Sequence, residues 1–191
     1  MSYQLALQIL FPALWIGWLI YWWVSARDVK ATRWRQPTRA ELIHRAPMLL
    51  AAVLLAAPRL LPLALRRRIV PAGSVTATVG ILIIAAGLGF SVWARRHLGR
   101  NWSSQVVVKE DHALVRTGPY SRIRHPIYTG ILLAFLGTAI MIGEIRALLA
   151  FVLLVISFSI KSQAEEARMR ETFPEYEQYR RETAALIPYI F

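Results

Sequence analysis

Long apolar runs alternate with short, strongly basic segments along this 191-residue chain. The first run, 3–24, contains no charged side chain, and at about 1.5 Å per residue it can cross a hydrocarbon core of about 30 Å. Further runs predict spans at about 46–65, 74–94, 126–142 and 146–162. The second of these is the least regular, because Arg59 lies within it and Pro58 and Pro62 would kink it. The pattern predicts an all-α, polytopic integral membrane protein with about five transmembrane helices.

The distribution of charge predicts an orientation for these spans. The first run lacks the basic start and the small-residue cleavage site of a signal peptide, so we expect it to remain as a helix. Basic residues gather in the connections after the first and third spans, which by the positive-inside rule face the cytoplasm. We therefore expect the N-terminus outside and the tail inside, in the cytoplasmic membrane of a prokaryote. Arg66, Arg67 and Arg68 fall outside in this topology, so either they snorkel to headgroups or the second span is misassigned.

A short turn at Gly143 and Glu144 separates the last two spans and predicts an antiparallel hairpin with cytoplasmic ends. The hairpin brings residues 120–128 beside residues 161–168. Taken singly, the residues there fit ordinary roles, such as an aromatic belt, a helix start and helix ion pairs of about 0.2–0.5 kcal/mol. Together they predict a polar pocket that suits an amphipathic substrate. The two clusters are Tyr120, Arg122, Arg124, His125 and Tyr128, and Lys161, Glu165, Glu166 and Arg168.

The tail that follows predicts a helix through Arg170, a break with capping-box spacing between Thr172 and Glu175, and a second short helix to about Glu182. Apolar and aromatic residues recur along one face of it, at Met169, Phe173, Tyr176 and Tyr179. This face either closes over the hairpin as a lid or lies on the bilayer, and the periodicity alone leaves both readings open.

Composition excludes several functions. The chain has no cysteine, so disulfides and thiolate catalysis are absent, and no cluster has metal-ligand spacing, so we predict no metal. No glycine-rich phosphate loop follows a strand, and Ser121 lacks a base and an orienting group. The net charge of +12 is explained by the basic connections and by anionic headgroups, so we expect no nucleic-acid partner.

Three motifs in the C-terminal half carry a family resemblance. They are LGRNWS from Leu98, HALVRTGPYSRIRHPIYTG from His112, and EEARMRETFPEYEQYRRETAALIP from Glu165. In this combination they resemble the isoprenylcysteine carboxyl methyltransferase family, whose members are integral membrane enzymes that use S-adenosylmethionine. The resemblance implies two parts, with transmembrane helices in 1–97 and a catalytic region of loop, hairpin and lid in 98–191.

The resemblance also implies site residues. Cofactor contacts are implied at Gln105, His112, Leu114, Val115, Tyr120, His125, Pro126, Tyr128 and Glu165. The family's arginine for the substrate carboxylate corresponds to Lys161, which keeps a cation but loses the planar bidentate fork. With Arg168 and Arg124, Lys161 forms the candidate catalytic set.

The resulting hypothesis is methyl transfer from S-adenosylmethionine to a lipophilic acceptor, such as a prenylcysteine-like carboxylate. A carboxylate is already ionised at pH 7, so positioning and electrostatics suffice for the transfer. One alternative is a phospholipid or small-lipid methyltransferase, another is a non-catalytic scaffold whose basic loops bind anionic lipid, and a third is a nicotinamide-dependent membrane reductase. The expected partners are a prenylated or other lipophilic substrate and membrane lipids.

Overall fold

The computed structural model describes residues 2–27, 32–35, 38–99, 102, 107–109 and 114–187, with backbone alone at 32–35, 38–41 and 107–109. The helices of this part are α1 (Tyr3–Ser25), α2 (Thr38–Ala56), α3 (Ser74–Leu98), α4 (Pro126–Ile142), α5 (Ile145–Thr172) and α6 (Tyr176–Glu182). Strands β1 (Thr32–Arg35) and β2 (Val107–Lys109) pair antiparallel. The strand pair was not predicted from the sequence.

Three of the helices, α1, α3 and α5, are long and apolar enough to cross a membrane. Helix α4 and the apolar part of α2 are shorter. The prediction of an all-α, polytopic membrane protein is confirmed, and α4 occupies 126–142 as expected. Helix α5 continues from the predicted span into the polar tail and ends at Thr172, close to the predicted end at Arg170.

The predicted second span, 46–65, is wrong at both ends. Helix α2 begins at Thr38, because the polar residues before the apolar run are also helical, and it ends at Ala56. Pro58 disfavours a helical residue before it, and Ala57 has φ −119° and ψ 54°. Short 3-10 turns follow at Pro58–Leu60 and Leu63–Arg66.

Helices α3 and α4 touch backbone to backbone through two pairs of glycines, Gly80 with Gly137 and Gly87 with Gly130. A Cβ added at Gly87 would lie 2.5 Å from the carbonyl oxygen of Gly130, and one at Gly130 would lie 2.6 Å from that of Gly87. No side chain fits at these distances. Small residues allow such close approach, which is how helices associate where lipid removes the hydrophobic driving force.

Helix α1 runs alongside α3 in the same direction. Ala6 and Ala77 are fully buried in one apolar cluster, and further along the indole N–H of Trp18 donates to Ser91 Oγ at 2.8 Å. Trp15 packs on Phe135 of α4, with ring centroids 4.7 Å apart. The aromatic residues of α1 therefore cover the α3–α4 pair.

The predicted hairpin of α4 and α5 is confirmed. Gly143 ends α4 in the left-handed conformation, with φ +68°, and α5 starts two residues later. The carbonyl of Gly143 accepts hydrogen bonds from the N–H groups of Ile69 and Val70, at 2.8 and 3.2 Å. Arg66–Arg68 therefore lie at the turn end of the hairpin, opposite the start of α4.

The break between α5 and α6 lies where it was predicted, but the capping box is wrong. Thr172 is the last residue of α5, and its hydroxyl donates to the carbonyl of Arg168 at 2.9 Å. Glu175 is the N-cap residue of α6 and makes no side-chain capping bond. The spacing of Thr172 and Glu175 therefore predicted the start of the second tail helix about one turn too early.

We expect Gly87→Ala to lower the free energy of unfolding by about 1–3 kcal/mol, because the added methyl group must force α3 from α4. Gly89→Ala is the matched control, since a Cβ there meets nothing within 4 Å. It should be neutral or stabilising by up to about 1 kcal/mol, as glycine within a helix is unfavourable. Equilibrium unfolding in detergent micelles measures both, and equal stability of the two variants would contradict the close contact.

Candidate active site

A glycine-dependent turn leads into α4. Gly118 has φ +58°, and a Cβ there would lie 2.6 Å from the imidazole of His97. The His97 Nε2 atom lies 2.8 Å from Thr117 Oγ1, which fixes this turn to the end of α3. The 3-10 turn Gly118–Ser121 then directs Tyr120 into the protein, where its hydroxyl donates to the Ala94 carbonyl at 3.5 Å.

Two rings of the motif RHPIY form one side of the site. His125 is the N-cap residue of α4 and Pro126 is the first helical residue, where its missing N–H costs no helical hydrogen bond. The rings of His125 and Tyr128, one helical turn apart, are nearly parallel, with centroids 5.5 Å apart and an angle of 2°. Phe158 of α5 also packs on Tyr128, with ring centroids 4.7 Å apart.

The carboxylate of Glu165, near the end of α5, faces these rings. The Tyr128 hydroxyl donates to Glu165 Oε1 at 2.6 Å, and His125 Nδ1 lies 3.4 Å from Oε2. The Lys161 ammonium is 3.9 Å from Oε1 and 5.3 Å from the centre of the Tyr128 ring. The Glu165 side chain is 19% exposed, so it is oriented by three groups and still accessible.

Glu166 forms a second, more buried contact on the other side of His125. Arg124 Nε donates to Glu166 Oε1 at 2.8 Å, and His125 Nε2 lies 3.1 Å from the same oxygen. Arg180 Nε of α6 is 3.7 Å from the other oxygen. Successive residues of a helix point about 100° apart, so the two glutamates diverge and one imidazole bridges them.

This arrangement alters proton affinities. Burial lowers the pKa of His125, but hydrogen bonds to Glu165 and Glu166 raise it by more, so the pKa lies above its ordinary value. Burial raises the pKa of Tyr179 to about 12, and burial likewise raises the pKa of Tyr120. Both ring nitrogens of His125 therefore face carboxylates, which favours the imidazolium form, and burial favours the neutral form of the two tyrosines.

The tail covers the site as a lid. Tyr176 and Tyr179 of α6 are each 3% exposed, and the Tyr179 hydroxyl donates to the Tyr120 carbonyl at 2.6 Å. Beyond α6, the carbonyls of Ala184 and Ala185 accept hydrogen bonds at 2.9 and 3.0 Å from the backbone N–H groups of residues 124 and 125. Of the two readings of the aromatic face, the lid is therefore the one that the structure shows.

The Arg124 side chain joins three elements. Besides its contact with Glu166, it donates to the carbonyl of Arg180 at 3.0 Å and to the carbonyl of Thr183. Its guanidinium group thus connects the start of α4, the end of α5 and the tail. Because its side chain is 7% exposed, most of its hydrogen-bonding capacity is used inside the protein.

The structure brings together several residues that the sequence predicted. One contact group holds His125, Tyr128, Lys161 and Glu165. Pro126 and Tyr120 are buried next to this group, and Leu114 and Val115 are half-buried in the segment that precedes it. Arg168 forms an ion pair with Glu171 on α5. Gln105 and His112 lie outside the described residues.

Sequence reasoning gave too little weight to Glu166 and to the tail residues around Thr183. The Glu-Glu pair was visible, but only its first member was assigned a role, and the fold places Arg124 and His125 against the second. The tail beyond α6 contributes backbone carbonyls, for which a side-chain pattern carries no signal.

We expect His125 to make stability depend on pH. Because its native pKa lies above the unfolded value of about 6.5, the imidazolium stabilises the fold below that pH, and the contribution is lost as pH rises through the native pKa. The difference in unfolding free energy between wild type and His125→Gln should therefore be largest in acid and shrink with rising pH. Denaturant unfolding across a pH series measures it, and parallel curves would refute the assignment.

Several known proteins are similar to this chain. A protein-S-isoprenylcysteine O-methyltransferase of Schizosaccharomyces pombe is 34% identical over 119 residues, which are 60% of this chain and 50% of that protein. The cobalt-zinc-cadmium resistance protein CzcN of Cupriavidus metallidurans is 32% identical over 96 residues, or 48% and 43%. The solved structure of the eukaryotic intramembrane Ras methyltransferase ICMT has a TM-score of 0.49 and 20% identity, over 80% of this chain and 52% of that one.

The chain spans about half the length of the curated relatives it matches. The resemblance to isoprenylcysteine carboxyl methyltransferases is confirmed by these relatives. A family model described as phospholipid methyltransferase matches residues 75–176, from the start of α3 through both glutamates to the lid. Since this match covers more than half of the sequence, the chain belongs to the phospholipid methyltransferase family.

Proposed function

We propose that this protein is an integral membrane methyltransferase that uses S-adenosylmethionine to methylate the carboxylate of a lipophilic, prenylcysteine-like acceptor. The observation that carries the proposal is the partly exposed side chain of Glu165, whose carboxylate is oriented by Tyr128 and His125 beside the ammonium of Lys161. Membership of the family and the names of the relatives support it.

The residues present fit the proposed cofactor. S-adenosylmethionine supplies an electrophilic methyl group on a sulfonium, and it also carries an ammonium group. Glu165 is a hydrogen-bond acceptor for a cationic ligand, and the Tyr128 hydroxyl orients its carboxylate. We assign cofactor binding to these two residues with His125, Pro126 and Tyr120, and to the preceding segment that includes Leu114 and Val115. Gln105 and His112 remain part of the same prediction.

The state of His125 favours an acceptor that is already charged. A general base must be able to take up a proton, but His125 is held between two carboxylates and its pKa is raised. An amine acceptor requires such a base, whereas a carboxylate attacks as the anion. The site therefore fits a carboxylate better, with Lys161 positioning it and the lid excluding water.

The three candidate catalytic residues have different proposed roles. Lys161 binds the acceptor carboxylate, and Arg168, about two turns further along α5, adds positive charge for the same group. Arg124 is a positioning residue, because its hydrogen bonds go to Glu166 and to tail carbonyls.

A second candidate is methylation of an amino phospholipid, which the description of the matching family favours. The cations at the site oppose it, since a headgroup ammonium would approach Lys161 and Arg168.

We also propose an orientation in the cytoplasmic membrane of a prokaryote. The N-terminus lies outside, and the site and the tail lie on the cytoplasmic side, because basic connections surround the site. In this proposal residues 98–191 form the catalytic region and 1–97 support it.

We expect Glu165→Gln to weaken binding of S-adenosylmethionine by about 10–100-fold, because it removes the charge from an acceptor of charged hydrogen bonds worth about 1.5–3 kcal/mol. Isothermal titration calorimetry of the detergent-solubilised protein, repeated with the demethylated product, measures the affinity. Glu175→Gln is the control, since this glutamate is exposed on the outside of the lid. Unchanged affinity of Glu165→Gln in a folded protein would place the cofactor elsewhere.

We expect Lys161→Met to lower kcat/KM for a prenylcysteine carboxylate by about 10–100-fold through loss of one charged contact, with cofactor affinity nearly unchanged. Transfer of a labelled methyl group measures the rate. Arg170→Met removes an exposed charge from the same helix and should have little effect. Labelled phosphatidylethanolamine with no labelled carboxylate would overturn the carboxylate proposal in favour of the second candidate.

A further inference from the structure

The end of the helical bundle opposite the site carries positive charge that the proposed function does not use. Four arginines lie between α2 and α3, and all four are exposed: Arg59, Arg66, Arg67 and Arg68. They belong to a stretch that we call the basic segment, residues 58–70, which includes both 3-10 turns of this connection.

Acidic groups do not balance this charge. The sequence has no aspartate or glutamate between Glu41 and Glu110. The fold brings Glu144 to this end, but its carboxylate is 2.6 Å from Arg146 Nε. The Arg146 guanidinium also donates to the Leu54 carbonyl at 2.8 Å, so this ion pair belongs to the packing of α2 on α5. Among the described residues, no ion pair joins an arginine of the basic segment to an acid.

The basic segment is fixed to the turn of the hairpin. In addition to the two bonds that Gly143 accepts, the N–H of Ile145 donates to the carbonyl of Arg67 at 3.1 Å. A Cβ at Gly143 would lie 2.7 Å from Arg68 Nη2, so the guanidinium packs directly on this glycine. The arginines are therefore held at a defined level, where α4 ends and α5 begins.

Exposed apolar side chains accompany these charges. Leu60 is 82% exposed, Leu63 is 79% exposed, and Val75 at the start of α3 is 78% exposed. Such side chains are unfavourable in water, but at the edge of the hydrocarbon core they enter the acyl chains while neighbouring arginines reach the headgroups. Because α3 and α5 both begin at this end and are long enough to cross a membrane, the basic segment lies at that edge.

We propose that the basic segment binds the phosphate of an anionic phospholipid in the leaflet opposite the active site. Guanidinium groups match phosphate oxygens with paired, charge-assisted hydrogen bonds. The exposed leucines bind the acyl chains of the same molecule, so one lipid satisfies both the charge and the apolar surface. Binding of an anionic lipid also explains why arginines lie at the outer end of the bundle, where the positive-inside rule disfavours them.

A local probe tests this inference. The chain has no cysteine, so Leu60→Cys provides one exposed attachment point for a fluorophore within the basic segment. The labelled full chain is placed in phosphatidylcholine vesicles that contain a minor fraction of phosphatidylglycerol. Two vesicle preparations are compared. Each contains the same amount of brominated acyl chain, which quenches fluorescence on contact, and the bromine is attached to phosphatidylglycerol in one preparation and to phosphatidylcholine in the other. We expect brominated phosphatidylglycerol to quench at least about threefold more than brominated phosphatidylcholine.

Arginine variants identify the groups responsible. Arg66→Gln, Arg67→Gln and Arg68→Gln together should bring the quenching ratio close to one. The pair Arg66→Gln and Arg67→Gln should remove most of the preference while leaving Arg68 packed on Gly143. The control removes three exposed charges at the site end, Arg96, Arg122 and Arg170, by the same substitution and should keep the wild-type ratio.

Three results would overturn the proposal. The first is equal quenching by both lipids in the wild-type chain, and the second is a preference that survives the triple variant. The third is a preference that inorganic phosphate abolishes at constant ionic strength, which would identify the free anion as the ligand.

Discussion

The site depends on a single imidazole that is shared by two carboxylates on consecutive residues. His125 contacts both Glu165 and Glu166, and among the described residues it is the one group that joins both carboxylates to the start of α4. Each glutamate has a further cation beside it, Lys161 for Glu165 and Arg124 for Glu166, and such pairing offsets the cost of burying charge. In the proposed function Glu166 stabilises the fold and Glu165 binds the cofactor, and the difference lies in what else each carboxylate contacts.

Much of this arrangement was predictable because a membrane constrains helices strongly. The lengths of the apolar runs predicted the positions of α3, α4 and α5. The short turn at Gly143 predicted the hairpin that brings Tyr128 to Glu165. Other features have no local signal. The end of α2 depended on the backbone preference before Pro58, and the contact of the tail with residue 124 uses main-chain groups that every sequence possesses.

Charged side chains are arranged differently at the two ends of the helical bundle. At the site end, cations and acids alternate through Lys161, Glu165, His125, Glu166 and Arg124, so each charge has an opposite neighbour. At the other end, arginines outnumber acids and stand beside exposed leucines. The first pattern is satisfied within one chain, whereas the second matches the anionic headgroups and acyl chains of the proposed lipid.

The glycine contact between α3 and α4 has a mechanical consequence. A helix pair slides by exchanging side-chain rotamers at the interface, and here the carbonyl of Gly130 meets Gly87 with no side chain between them. The two helices are therefore coupled more tightly than a pair that meets through side chains. In the proposed function, the motion that admits an acceptor falls to α1, α2 or the lid, and the helix pair that carries His125 keeps its arrangement.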